Sequence, residues 1–124
     1  MAATRLGRVQ LLIMQVLWDK GRATAREITD AISESEPIAH STVQTLLRHL
    51  EDKGSVAHEA DGRTFVFFPL VEQNHFQVNA TRDLLQRVFG GNVTSLVAHL
   101  LKHEKVSREE IAEIRKLIDR TGKK

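Results

Sequence analysis

Apolar residues recur at helical spacing in six separate stretches of this chain, and between the third and the fourth the period drops to two. The first stretch runs from Leu6 to Asp19, with Leu6, Val9, Ile13, Val16 and Leu17 on one stripe and Gly21 as its stop. "TARE", Thr24 to Glu27, then reads as a capping box, in which the Thr hydroxyl accepts from the Glu27 amide and the carboxylate reaches back. It opens a second helix that buries Ile28, Ala31 and Ile32 until "SESEP" breaks it before or at Pro37. The third, "AHSTVQTLLRHLEDKG" from Ala39 to Gly54, carries Val43, Leu46, Leu47 and Leu50 on its buried side.

In "SVAHEADGRTFVFFPL" two extended runs flank Asp61-Gly62, a pair that favours a type I′ hairpin turn because both central positions need positive φ. Phe65, Val66, Phe67 and Phe68 suit a half-buried second strand, Pro69 ends it, and Arg63 follows the turn directly. Three helices and a hairpin are the order of a winged helix-turn-helix, with the third helix in the reading position.

The remaining stretches are helical again. A long helix from about Glu72 to Phe89 carries Phe76, Leu84, Leu85, Val88 and Phe89, and "GGN" ends it. A short helix follows with Val93, Leu96, Val97, Leu100 and Leu101; the last opens with a second capping box, "SREE" from Ser107, and buries Ile111, Ile114, Leu117 and Ile118. A segment below about 60 residues hides such faces poorly by itself, so all these apolar residues are expected to face the same segment of a second chain. The fold expected is mainly α with a small β-hairpin: a winged helix-turn-helix DNA-binding domain over 1–70 and a helical dimerisation domain over 71–124. There is no internal repeat or low-complexity tract.

The third helix has an unusual polar face. Ser41, Gln44, Thr45, Arg48 and Asp52 lie opposite its stripe, with Thr42 and His49 at the flank. A solvated face is built more readily from Glu, Lys and Gln, since Ser and Thr are poorer helix formers. Short hydroxyls and an amide suit base edges and phosphates, a glutamine can pair with adenine, and a Thr methyl can meet a thymine methyl. Asp52 is at the C-terminal end, away from base edges. Ser41, Thr42, Gln44, Thr45, Arg48 and His49, with Arg63 beside the duplex at the wing tip, are therefore the expected DNA contacts, on a recognition helix from Ser41 to Lys53. The competing reading is a winged helix that docks a protein and has no specific DNA affinity. Trp18 continues the stripe of the first helix and is expected in the core.

Charge refines this only locally. The 18 Lys+Arg against 16 Asp+Glu leave +2, and the part up to Leu70 is net −1 while the rest is net +3. Any DNA affinity must come from a local cluster, for which Arg5, Arg8, Arg22, Arg26, Arg48 and Arg63 are the candidates. The absence of cysteine excludes disulfides, thiolate metal sites and redox sensing, and with no export pattern or bilayer-length apolar run a cytoplasmic protein without membrane insertion is expected. His99 and His103 stand at i, i+4, but "HLLKH" lacks the glutamate of the zinc-protease motif, and His40, His49, His58 and His75 are scattered; no metal or cofactor is expected. With no phosphate loop, no G-x-S-x-G elbow and no evident carboxylate pair, neither is an enzyme.

"LGRVQLLIMQVLW", "STVQTLLRHLEDKG" and "RVFGGNVTSLVAHLLKHEKVSREEIAEIRKLI" together resemble the BlaI/MecI-type penicillinase-repressor family of bacterial winged-helix regulators, over nearly the whole chain. The resemblance implies a homodimeric repressor on inverted-repeat, double-stranded operator DNA, whose target genes need not concern β-lactams. It also implies control through a membrane sensor protease, which in the antibiotic-sensing members cuts an Asn-Phe bond in the first short C-terminal helix. The corresponding position here is His99-Leu100 in "LVAHLLKHE". The copper-responsive relatives carry a cysteine-rich motif that this chain lacks.

Overall fold

The computed structural model of the chain describes residues 6–122. Its elements are α1 (Arg8–Lys20), β1 (Ala23–Thr24), α2 (Ala25–Ser33), α3 (His40–Asp52), β2 (Val56–Asp61), β3 (Thr64–Pro69), α4 (Gln73–Phe89), α5 (Val93–His103) and α6 (Arg108–Gly122). The chain divides into two compact units, the first ending at Asp83 and the second beginning at Leu84, so that α4 gives its start to one and its end to the other.

In the first unit α1, α2 and α3 close over a three-stranded antiparallel sheet of order β1-β3-β2. Ile13, Met14 and Leu17 of α1, Ile28 and Ile32 of α2, and Val43, Leu47 and Leu50 of α3 meet Ala23, Val56 and Phe67 of the strands. Met14 joins this core although it was outside the expected stripe, while Leu6, Val9 and Val16 are only partly buried against it, as is Leu46. Ala31 is half-buried, and the side chain that α2 buries besides its isoleucines is Thr29. The Thr29 hydroxyl donates to the Ala25 carbonyl at 2.8 Å and shares a hydrogen bond of 2.9 Å with His40 Nδ1, so its burial leaves no polar atom unsatisfied.

The capping box at Thr24 forms on both sides: the Glu27 amide donates to the hydroxyl at 3.1 Å and the Thr24 amide to the carboxylate at 2.8 Å. These bonds hold the Glu27 carboxyl below its ordinary range. Thr24 is also the last residue of β1, paired with Val66, so the cap fixes the start of α2 to the sheet. That strand was not expected, because two residues display no period.

The hairpin turn corrects the sequence reading. Asp61 pairs with Thr64, which makes Gly62 and Arg63 the two central residues. Gly62 has φ +64°, and no described residue other than glycine has positive φ. Positive φ at the first central position only is the sign pattern of a type II′ turn, whose first site favours glycine, and not of type I′. Arg63 therefore lies within the turn itself. At the end of α3, Gly54 takes φ +82° while the Ser55 amide reaches back to the Leu50 carbonyl at 2.9 Å, turning the chain into β2.

Trp18 is partly buried; its Nε1 donates to the Val71 carbonyl at 2.8 Å and its ring lies 5.4 Å from that of Phe76. Phe76 is 8% exposed. This corrects its place among the dimerisation residues: its ring is used by the first unit, where an indole offered a partner. In the second unit Asn92 caps α5, accepting from the Ser95 amide at 2.9 Å, and Ser107 and Glu110 form the expected box at 3.0 and 3.2 Å. Among the described residues from Leu84 onward none is buried, and Val88, Val93, Leu100, Leu101, Leu117 and Ile118 are among the exposed large hydrophobics. No described helix is long and apolar enough to cross a membrane.

Leu47 is fully buried at the centre of the first unit. Leu47→Ala is expected to cost about 2–5 kcal/mol of unfolding free energy, through lost burial and the cavity left behind. Urea denaturation followed by circular dichroism measures it, and a change under about 1 kcal/mol would mean that α3 does not seat the core in this way.

Candidate nucleic-acid interface

Helix α3 lies with Val43, Leu47 and Leu50 turned into the core, which leaves Ser41, Thr42, Gln44, Thr45, Arg48, His49 and Asp52 exposed as its pattern required. Residues four apart stack along a helix, so His40, Gln44 and Arg48 form one row. That row lines a cleft of about 560 Å³ whose other walls are Thr24, Ala25 and Arg26 at the start of α2, and His58, Arg63, Thr64 and Phe65 of the hairpin. Its floor is made by Leu47 and Phe67. The structure thus brings Gln44, Arg48 and Arg63 together, while Ser41, Thr42, Thr45 and His49 are exposed on α3 outside the cleft lining.

Ion pairing separates the candidate cations. Arg8 pairs with Glu36 through both terminal guanidinium nitrogens, one of them at 3.0 Å, and the shared hydrogen bonds raise the Arg8 pKa and hold Glu36 below the usual carboxylate range. Arg22 pairs with Glu59 and lies 5.1 Å over the ring of Phe68. Arg5 lies outside the described residues. Arg26, Arg48 and Arg63 remain, all exposed, all in the cleft, and none ion-paired to another described residue. A chain that is net negative up to Leu70 therefore gathers three available guanidinium groups on one concave surface.

The cleft's carboxylate is engaged: Glu51 accepts from His58 Nδ1 at 2.7 Å, tying the end of α3 to β2. The His58 ring stacks at 4.2 Å on Phe65 and meets Phe67 at 5.4 Å. Sequence reasoning missed this cluster. Its signal was the strand register, which puts His58 opposite Phe67 and Ala60 opposite Phe65 on one face of the hairpin. His99 and His103 do approach, with ring centroids 4.7 Å apart, but among the described residues no group of three potential metal ligands assembles.

Known proteins resemble this chain over most of its length. The family model described as "Penicillinase repressor" matches residues 6–120. The penicillinase repressor of Bacillus licheniformis is 26% identical over 115 residues, 93% of this chain and 90% of the relative. The methicillin resistance regulatory protein MecI of Staphylococcus aureus strain N315 is 27% identical over 108 residues, 87% of this chain and 88% of the relative. Among solved structures, the solution structure of the DNA-binding domain of the repressor BlaI is similar at 26% identity with a TM-score of 0.53, covering 59% of this chain and 89% of that one.

Proposed function

This chain belongs to the penicillinase repressor family, and from that premise we propose that it is a homodimeric transcriptional repressor that binds inverted-repeat operator DNA. The observation that carries this reading is the cleft between α3 and the hairpin, where Arg26, Arg48 and Arg63, none of them ion-paired to another described residue, stand beside Gln44. Helix α3 enters the major groove as reader, and the hairpin is a wing whose turn carries Arg63 to the phosphates or the minor groove. The first compact unit, which ends at Asp83 rather than at the expected Leu70, is the reading one, and the helical segment from Leu84 onward is the dimerising one. The chain acts by occupying DNA in the cytoplasm and catalyses no reaction. Release follows either a cut at His99-Leu100 by a sensor protease suited to that pair, or an induced departure of the intact protein.

Footprinting on the chain's own upstream region, followed by binding to the protected duplex over a range of salt, tests the reading. Neutralised phosphates give a steep fall of affinity with salt. A winged helix that only docks a protein gives neither a footprint nor that slope.

The side chains are expected to divide by role. Gln44→Ala and Thr45→Ala each reduce discrimination between the protected sequence and its variants by about 1–3 kcal/mol, the worth of a good base-edge contact. Arg63→Ala weakens all duplexes alike and flattens the salt slope by about one unit if one phosphate contact is lost. Competition binding with single base-pair variants reads both. Unchanged sequence preference in the two α3 variants would remove α3 as the reader.

A further inference from the structure

Phe65 is 51% exposed, and it is the most exposed phenylalanine of the described chain. Folding does not account for a phenyl ring there. Its cross-strand partner is only Ala60, and the core on this face is already closed by Phe67 two residues on. One side of the ring is stacked on His58, which Glu51 anchors to α3, so its position is fixed from the reading helix. The ring also lines the cleft that holds Arg48 and Arg63. A ligand that suits this pairing of cations with a held apolar ring is a polyanion with apolar segments between its charges, and a sugar-phosphate backbone is such a chain.

We infer that Phe65 is an apolar contact of the wing, its ring packed on a deoxyribose next to the phosphates met by Arg48 and Arg63. This rests on the DNA-binding reading above. Because sugars carry no sequence information, the contact serves affinity and not sequence choice. Because the ring is held before binding, little side-chain freedom is lost on contact.

The test uses the full chain, the footprinted duplex and a scrambled duplex of equal length. Phe65→Ala is expected to weaken both complexes by about tenfold, the effect of uncovering part of a phenyl ring, with the log-log salt slope unchanged because no charge is removed. Phe65→Tyr keeps the ring face and is expected to bind like the parent. Phe65→Leu, which loses the flat face but keeps apolar volume, carries the same expectation of weaker binding at constant slope if the alanine variant melts below the assay temperature. Unchanged affinity in the alanine and leucine variants overturns the inference, as it would if the cleft served an acidic peptide instead. A loss accompanied by a flatter slope also overturns it, since Phe65 would then act only by placing Arg63. So does a loss confined to the footprinted sequence, which would indicate a base contact. If the parent itself shows no salt-dependent binding, the DNA reading falls and takes the inference with it; that outcome is distinct from a parent that binds and variants that bind equally well.

Discussion

Leu100→Asp is expected to convert the protein to monomers and to weaken operator binding by about two to four powers of ten. Leu100 is 50% exposed on α5, a helix that also leaves Val93, Val97 and Leu101 exposed, and α6 leaves Leu117 and Ile118 exposed. Large aliphatic side chains left open in a short helical unit are unfavourable unless another surface covers them. The second copy of the same segment has the matching composition and, in a two-fold pair, meets itself. A carboxylate placed inside that contact loses its hydration without gaining a partner, so association is disfavoured by several kcal/mol. Because linked reading units bind at high effective concentration, their separation is felt at the operator without any change in α3. Sedimentation at micromolar concentration and operator titration measure the two effects. The first unit should still unfold as in the parent, since Leu100 belongs to the second. A parent protein that sediments as a stable monomer would remove the dimer altogether.

The parts of this molecule that were legible in advance are those in which one residue type can serve only one local purpose. Thr24 with Glu27 and Ser107 with Glu110 formed their boxes because the spacing of three matches the geometry of a first helical turn. Gly21 and Gly54 ended their helices with positive φ, which few other residues accept. The α3 stripe was legible for the same reason of period. What escaped depended on which residues the strands and rings pair with. The pairing of β1 with β3 joins Ala23 to Phe67 and has no period of its own. The turn type followed from the register of Asp61 with Thr64, not from the attractive Asp-Gly pair. Phe76 carried an amphipathic signal, but Trp18 decided which surface it covered.

The same limit applied to charge. The six candidate arginines could not be ranked by composition, because Glu36 and Glu59, which engage Arg8 and Arg22, are 28 and 37 residues away from them. Arg26, Arg48 and Arg63 emerged as the cleft's cations only after those two pairs were removed. Glu51, by contrast, would oppose a phosphate in this cleft, and its hydrogen bond from His58 turns that liability into a tie between wing and helix.

Ending the chain after His99 is expected to abolish operator repression, with a loss of affinity of about two to four powers of ten, because the two reading units no longer act together. The His99-Leu100 bond lies within α5, with both residues exposed, and a break there removes Leu100, Leu101 and all of α6 from the second unit. What remains, Val93 to His99, is under two turns of helix with its Asn92 cap, too short to persist by itself. The Leu100 carbonyl accepts from the Glu104 amide at 3.0 Å, and Glu104 is already extended at φ −106° and ψ 154°, so the bond sits one turn from the end of the helix. A protease must open that last turn to reach it, and helix ends open at the lowest cost. The chemistry of the pair is a separate question from its position. A cleft made for Asn-Phe does not accommodate an imidazole and a branched aliphatic side chain equally well, so a sensor that cuts here has a specificity of its own. Two measurements separate these points. The shortened chain, assayed for dimerisation and operator binding, tests whether a cut would suffice, and retained repression means that it would not. Mass-spectrometric mapping of fragment ends from induced cells tests whether it happens: a new C-terminus at His99 identifies proteolytic release, and intact protein that has left its operator rejects it.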